Sequence, residues 1–212
     1  MGLFITFEGI DGSGKSTQAR QLAERLRAAG QPVTLTREPG GSQGAEDIRR
    51  LLVEGDPGRW SADTEMLLFT AARRDHLERT IRPALDRGDV VICDRFVDST
   101  RAYQGVAGRR ATIDDLHQLM IGVEADVTLI FDLEPAVAFA RAGGRGGSED
   151  RFERKGLAFQ TELRAAYRQI AQDAPARCIV IDADGTEEKI AADVDQHLAP
   201  HLAVLTGSQH GG

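Results

Sequence analysis

Five short runs of the chain are almost wholly apolar: residues 3–7, 33–35, 90–93, 127–131 and 178–181. A strand with one wet face alternates apolar and polar positions. A run that stays apolar throughout fits a strand covered on both faces, as in a parallel sheet between two helical layers. Between these runs the apolar positions recur at helical spacing. Ala19, Leu22, Ala23 and Leu26 mark one helical face after Ser16, and Gly30 ends it. Residues 45–52 predict a shorter helix, closed by the turn Gly55-Asp56-Pro57-Gly58. A long helix follows Ser61 and bends or stops near Pro83, which lacks the N–H to continue the ladder. Further helices are predicted over 113–122, 135–142, 152–171 and 187–198. Strands alternating with helices demand crossover connections, so the expected fold is α/β: a doubly wound five-stranded parallel sheet with helices on both faces. No internal repeat or long linker divides the chain. Residues 1–205 read as one domain and 206–212, TGSQHGG, as a disordered tail.

Composition narrows the function more than the fold. A net charge of −7 argues against general nucleic-acid binding, which needs a basic face. No apolar stretch is long enough to span a membrane, and the N-terminus enters its first strand without a basic leader; a cytoplasmic protein is expected. Cys93 and Cys178 each lie within an apolar run and read as free buried thiols. The positive charge is lopsided: of 26 basic residues only Lys15, Lys155 and Lys189 are lysines. Lys15 is the sole lysine of the first 154 residues, and it falls in the segment with the strongest chemical signature.

That segment is GIDGSGKST, Gly9-Ile10-Asp11-Gly12-Ser13-Gly14-Lys15-Ser16-Thr17, set between a predicted strand and a predicted helix. Its G-x-x-x-x-G-K-S spacing is that of a P-loop, which cradles the phosphates of ATP. Glycines let the backbone N–H groups turn inward, and the next helix aims its positive end at the same point. Lys15 would reach the β- and γ-phosphates, and the Ser16 hydroxyl would ligate Mg²⁺. Asp94 closes VVICD at a strand's carboxyl end, where a second Mg²⁺ ligand is expected. Asp11 is the anomaly, an anion amid groups that bind anions. No N/T-K-x-D element follows to read guanine, and the chain is short for a motor or helicase. A small kinase acting on a small acceptor fits best. Such an enzyme needs a lid, and RAGGRGGSEDR, with four glycines and three arginines, suggests one over about 141–153.

Taken together, FEGIDGSGKST, TREPGG, LLFTAARRDH, DRFVDSTRAYQG and EDRFERKG resemble thymidylate kinases in order and spacing over about residues 3–200. The resemblance implies a P-loop nucleoside-monophosphate kinase fold, a homodimer, and transfer of the ATP γ-phosphate to dTMP to give dTDP for dTTP synthesis. It assigns Arg95 to the acceptor phosphate, Phe69 to stacking on thymine, and Arg73 to a thymine carbonyl. Thr100 and Gln104 fall near the pyrimidine's polar edge, with Ser99 and Glu38 also on the acceptor side, and Arg37 beside Glu38. Tyr103 would lie beneath the deoxyribose. Beside an acceptor nucleotide, Asp11 can take a hydrogen bond from the sugar 3′-hydroxyl or from a Mg²⁺-bound water. Some thymidylate kinases carry an arginine at the place of Gly12. This sequence resembles the other branch, in which the lid supplies the cation. Arg151 matches that lid arginine, with Arg141 and Arg145 as further candidates. The rival readings are a kinase of another small acceptor and a non-catalytic nucleotide-binding protein.

Overall fold

The computed structural model describes residues 2–56, 58–105, 108–142 and 156–207. Five parallel strands form one sheet in the order β2-β3-β1-β4-β5: β1 (Leu3–Gly9), β2 (Val33–Arg37), β3 (Val90–Asp94), β4 (Val127–Asp132) and β5 (Cys178–Asp182). Helices connect them: α1 (Lys15–Ala28), α2 (Gln43–Val53), α3 (Ala62–His76), α4 (Arg82–Asp86), α5 (Val97–Tyr103), α6 (Arg110–Met120), α7 (Pro135–Ala142), α8 (Gly156–Asp173) and α9 (Glu187–Gly207). The doubly wound sheet inferred from the apolar runs is present. No helix among the described residues is long and apolar enough to cross a membrane.

Successive residues of β1 feed two separate cores, as the pleat requires. Ile5 and Phe7 face α1, α8 and α9 with Leu22, Leu129, Leu163 and Leu198. Phe4 faces the other way, with Leu77, Ile81, Val91, Phe96 and Ile121. Phe7 stacks on Phe131 at 5.5 Å, and Phe4 meets the Phe96 ring edge-on at 5.0 Å. The central strands are buried on both faces. The edge strands are not: β2 is half-buried, and Val180 of β5 is exposed. Continuous apolarity there overstated the burial.

Three helical details depart from or refine the expectation. Ser61 caps α3 by accepting from Thr64 N at 3.2 Å, and the helix runs through a π turn (Leu77–Ile81) into α4. Pro83 stands in the first turn of α4, where its missing N–H is tolerated, so the chain changes pitch rather than stopping. The last helix continues through Pro200 to Gly207, beyond the predicted end at 198. Leu202 and Leu205 pack against the core, and that burial offsets the roughly 3 kcal/mol cost of an internal proline. Residues 208–212 of the expected tail lie outside the described residues. Finally, α5 carries no apolar stripe and was not anticipated.

The sheet order matters for the site. β1 lies between β3 and β4, with Phe7 in register with Asp94 and Gly9 in register with Phe131. The segment after Gly9 therefore emerges beside Asp94 and Arg95, at the carboxyl edge where α/β sheets bind ligands.

Candidate active site

The loop from Gly9 to Lys15 is built on backbone that side chains resist. Gly12 has φ 82°, and a Cβ there would lie 2.2 Å from the carbonyl oxygen of Ala138 in α7. Gly14, at φ 88°, turns the chain into α1, so the unpaired N–H groups of that helix end face the loop. Ile10 anchors the loop in the core. Lys15 is buried, its ammonium donating to Ile10 O at 3.3 Å and to Asp11 Oδ1 at 3.5 Å. Burial and the Arg95 charge lower its pKa, while Asp11, Asp94 and Glu8 oppose the shift. The Thr17 hydroxyl accepts from Arg20 at 3.3 Å at the surface.

Ser16 and Asp94 share a cavity of about 410 Å³ with Arg20, Thr36, Arg37 and Glu46. Asp94 Oδ1 is buried with no hydrogen-bond partner among the described residues. A buried carboxylate oxygen left unpaired beside a hydroxyl suits Mg²⁺. Among the described residues no three acidic, histidine or cysteine side chains form a cage.

Asp11 sits between the two halves of the site. Its Oδ1 accepts from Arg95 Nη2 at 2.6 Å, and its Oδ2 accepts from the Tyr103 hydroxyl at 3.2 Å. Burial pushes the carboxyl pKa up, but the charges of Arg95 and Lys15 prevail and hold it well below the usual carboxylate range. Arg95 is the only non-glycine at positive φ among the described residues, at 70°. Non-glycine residues hold that conformation only where their surroundings fix it. Here Arg95 N donates to Phe7 O at 2.9 Å and the Cys93 thiol donates to Arg95 O at 3.0 Å. The guanidinium lies 5.3 Å from the Tyr103 ring centroid, and its Nη1 donates to Ser99 Oγ at 2.9 Å and to Tyr167 OH at 3.0 Å.

A second chain of contacts lies behind it. Buried Arg73 donates from Nε to Glu38 Oε2 at 2.8 Å and from Nη2 to Thr100 Oγ1 at 3.0 Å, with its guanidinium over Phe96. Glu38, which precedes the cis peptide to Pro39, also meets His76 Nδ1 at 3.1 Å, and His76 Nε2 meets Thr36 Oγ1 at 2.7 Å. Half-buried Phe69 precedes Arg73 by one turn of α3. Gln104 donates to Glu65 at 3.4 Å, and its buried Oε1 has no hydrogen-bond partner among the described residues.

Most of the residues singled out from sequence thus fall into one contiguous site. Arg141 donates to Ala183 O at 3.0 Å and pairs with Asp184 at 3.6 Å, in the segment after β5. Arg145 and Arg151 lie outside the described residues. The sequence reading missed Glu8, Tyr167 and His76. Glu8 did carry a signal, an acid embedded in an apolar strand just ahead of the loop. Tyr167 carried none, since it reads as an ordinary core position of α8.

Comparison with known proteins agrees with this geometry. The family model for thymidylate kinase matches residues 7–194. A thymidylate kinase of Ruegeria pomeroyi is 61% identical over 203 residues, covering 95% of this chain and 96% of that protein. One from Dinoroseobacter shibae is 62% identical over 199 residues, covering 93% and 96%. The crystal structure of thymidylate kinase from Ehrlichia chaffeensis superposes with a TM-score of 0.75 at 37% identity, covering 93% of this chain and 98% of that one. With the phosphate loop, the Asp94–Arg95 turn and the Arg73 pocket falling inside the matched span, this chain belongs to the thymidylate kinase family.

Proposed function

We infer that this chain transfers the γ-phosphoryl group of ATP to dTMP, giving dTDP and ADP. The observation that carries the reading is Asp11, whose Oδ1 meets both Lys15 of the donor loop and Arg95, while its Oδ2 accepts from Tyr103. A site that only hydrolysed ATP gains little from Asp11, because an anion there opposes phosphate binding. In a transferase Arg95 meets the acceptor phosphate.

The steps follow from the placement of charge. Lys15 and the loop N–H groups hold the β- and γ-phosphates. Arg95 moves from Asp11 to the dTMP phosphate, whose oxygen attacks the γ-phosphorus as the bond to the ADP oxygen breaks. Little covalent work falls to the protein, so positioning and charge neutralisation dominate. Mg²⁺, held by Ser16 and Asp94, would neutralise charge on the donor phosphates. Asp11, released from Arg95, is free to accept from the sugar hydroxyl. Arg73 and Gln104 Oε1 offer a donor and an acceptor to the thymine edge, with Phe69 against its face. Gly12 leaves no room for a side chain, which supports a catalytic cation from the 141–151 segment, Arg151 foremost. A cytoplasmic homodimer completes the proposal.

The test is ADP release with dTMP, dUMP, UMP, dCMP, AMP and GMP offered separately, with and without Mg²⁺. Turnover mainly with dTMP, abolished by Lys15→Ala, is expected. Preference for another acceptor would overturn the roles of Phe69, Arg73 and Tyr103.

A further inference from the structure

Glu8 is buried completely in β1, one residue before the phosphate loop, yet no step above uses it. It is not a spare charge. Its Oε1 accepts from Phe96 N at 2.7 Å, immediately after the strained Arg95. Its Oε2 accepts from Ser99 Oγ at 2.6 Å and from Tyr167 OH at 3.3 Å. These are the two hydroxyls that receive Arg95 Nη1. A guanidinium only donates, so each hydroxyl must offer Arg95 a lone pair and send its own proton elsewhere. The two hydroxyls also lie 2.9 Å apart, and one proton can sit between them.

We propose that Glu8 is a positioning residue for Arg95: its carboxylate draws the hydroxyl protons of Ser99 and Tyr167 and turns their lone pairs onto the guanidinium. Through Phe96 N it also pins the turn on which Arg95 stands. This rests on the reading of Arg95 as the acceptor-phosphate clamp. When Arg95 leaves Asp11 for a phosphate, the Ser99–Tyr167 pair stays behind as its fixed hinge, and Glu8 sets the orientation of that hinge. Tyr167 belongs to α8, the first described helix after the arginine-bearing 141–151 segment, so Glu8 also ties that helix to the acceptor side.

The carboxylate must be ionised to act purely as an acceptor. Burial first, and then Asp98, push its pKa up to about 7, against Arg95, Ser99 and Phe96 N. Lys15 from α1, Tyr103 from α5, Cys93 from β3 and Cys178 from β5 also feel its charge. Burial raises the tyrosine and both thiols, which therefore stay neutral near pH 7. The sign is plain: above about 7 Glu8 is charged and the hinge is set, and below it a proton makes Glu8 a donor into the same ring.

The experiment measures kcat and both KM values of the full chain from pH 5.5 to 9, for wild type, Glu8→Gln, Tyr167→Phe and the double variant. Glu8→Gln should lower kcat roughly tenfold or more at pH 8, with the ATP KM changed less than about threefold. The wild-type fall in kcat below about pH 7 should lose the component absent from Glu8→Gln, whereas any limb from dTMP ionisation persists in both. In the Tyr167→Phe background the Glu8 substitution should cost less, because the two act as a unit. An unchanged kcat and pH profile in folded Glu8→Gln, or strict additivity, overturns the proposal. Should Glu8→Gln fail to fold, a wild-type kcat and pH limb in Tyr167→Phe would overturn it equally. Absence of dTMP turnover in the wild type would instead sink the functional reading, and this one with it.

Discussion

Asp11 holds a position that charge alone would forbid. Its carboxylate lies in a loop shaped for phosphates, and it is kept ionised there by Arg95 and Lys15, which outweigh the cost of burial. The pair at 2.6 Å keeps two cations from facing each other across the site before substrates arrive. An incoming acceptor phosphate must therefore compete with Asp11 for Arg95, which favours a fully charged phosphate over weaker anions. Asp11→Asn separates the possible roles. The acceptor-side kcat/KM should fall by roughly 100-fold, in the range for loss of one preorganised polar contact. ATP affinity should hold or tighten, since an anion has left the phosphate cradle. Titration with ATP alone, beside steady-state kinetics with dTMP, measures both. Equal losses would assign Asp11 to the loop's fold rather than to the acceptor.

At the scale of elements, α5 shows what a hydrophobic pattern can and cannot reveal. The phosphate loop was legible because its spacing follows directly from phosphate geometry, and β1, β3 and β4 because burial on both faces leaves an unbroken apolar run. α5 was not, because its buried apolar residues, Val97 and Ala102, enter different cores and the charged Asp98 and Arg101 are buried between them. Asp98 accepts from Arg101 Nη1 at 2.9 Å and from Arg177 Nη1 and Nη2 at 2.6 and 2.9 Å, while Arg101 also pairs with Asp114 and Glu124. A helix docked by ion pairs has no apolar stripe to count. Likewise, the residues that hold Arg95 from behind are distant in sequence; Glu8 and Tyr167 are 159 positions apart and meet only in the folded chain. The buried cluster also makes a stability prediction. Asp98→Ala takes the main carboxylate from Arg177 and one of three from Arg101, and should cost about 3 kcal/mol, the effect of breaking a buried pair from one side. In a chain of this size that lowers Tm by roughly 6–12 °C, readable by calorimetry. A shift within about 1 °C would mean that water reaches the cluster and replaces the carboxylate.

At the scale of the whole molecule, exposed apolar side chains occur on several elements, among them α3 and α6. Leu67 of α3 and Leu119 and Met120 of α6 are exposed, and Arg74, two turns along the same face from Leu67, donates to Met120 O. Helices α3 and α6 pack together, and we propose their exposed apolar side chains as the seam of the proposed homodimer. Sedimentation should give twice the 23.0 kDa chain mass, and Leu67→Glu with Leu119→Glu should return the single chain. A monomer in the unaltered protein would remove the dimer from the proposal. The phosphate loop itself is clamped from the opposite side, by the carbonyl of Ala138 against Gly12. That contact has a historical consequence. With the catalytic cation proposed to come from the 141–151 segment, an arginine at position 12 could not replace it on this backbone without a backbone change. Any path from one to the other has to withdraw the first turns of α7 before the loop can accept a side chain. Substitutions in α7 that draw the Ala138 carbonyl back are therefore expected to precede any side chain at position 12 in a descendant of this protein.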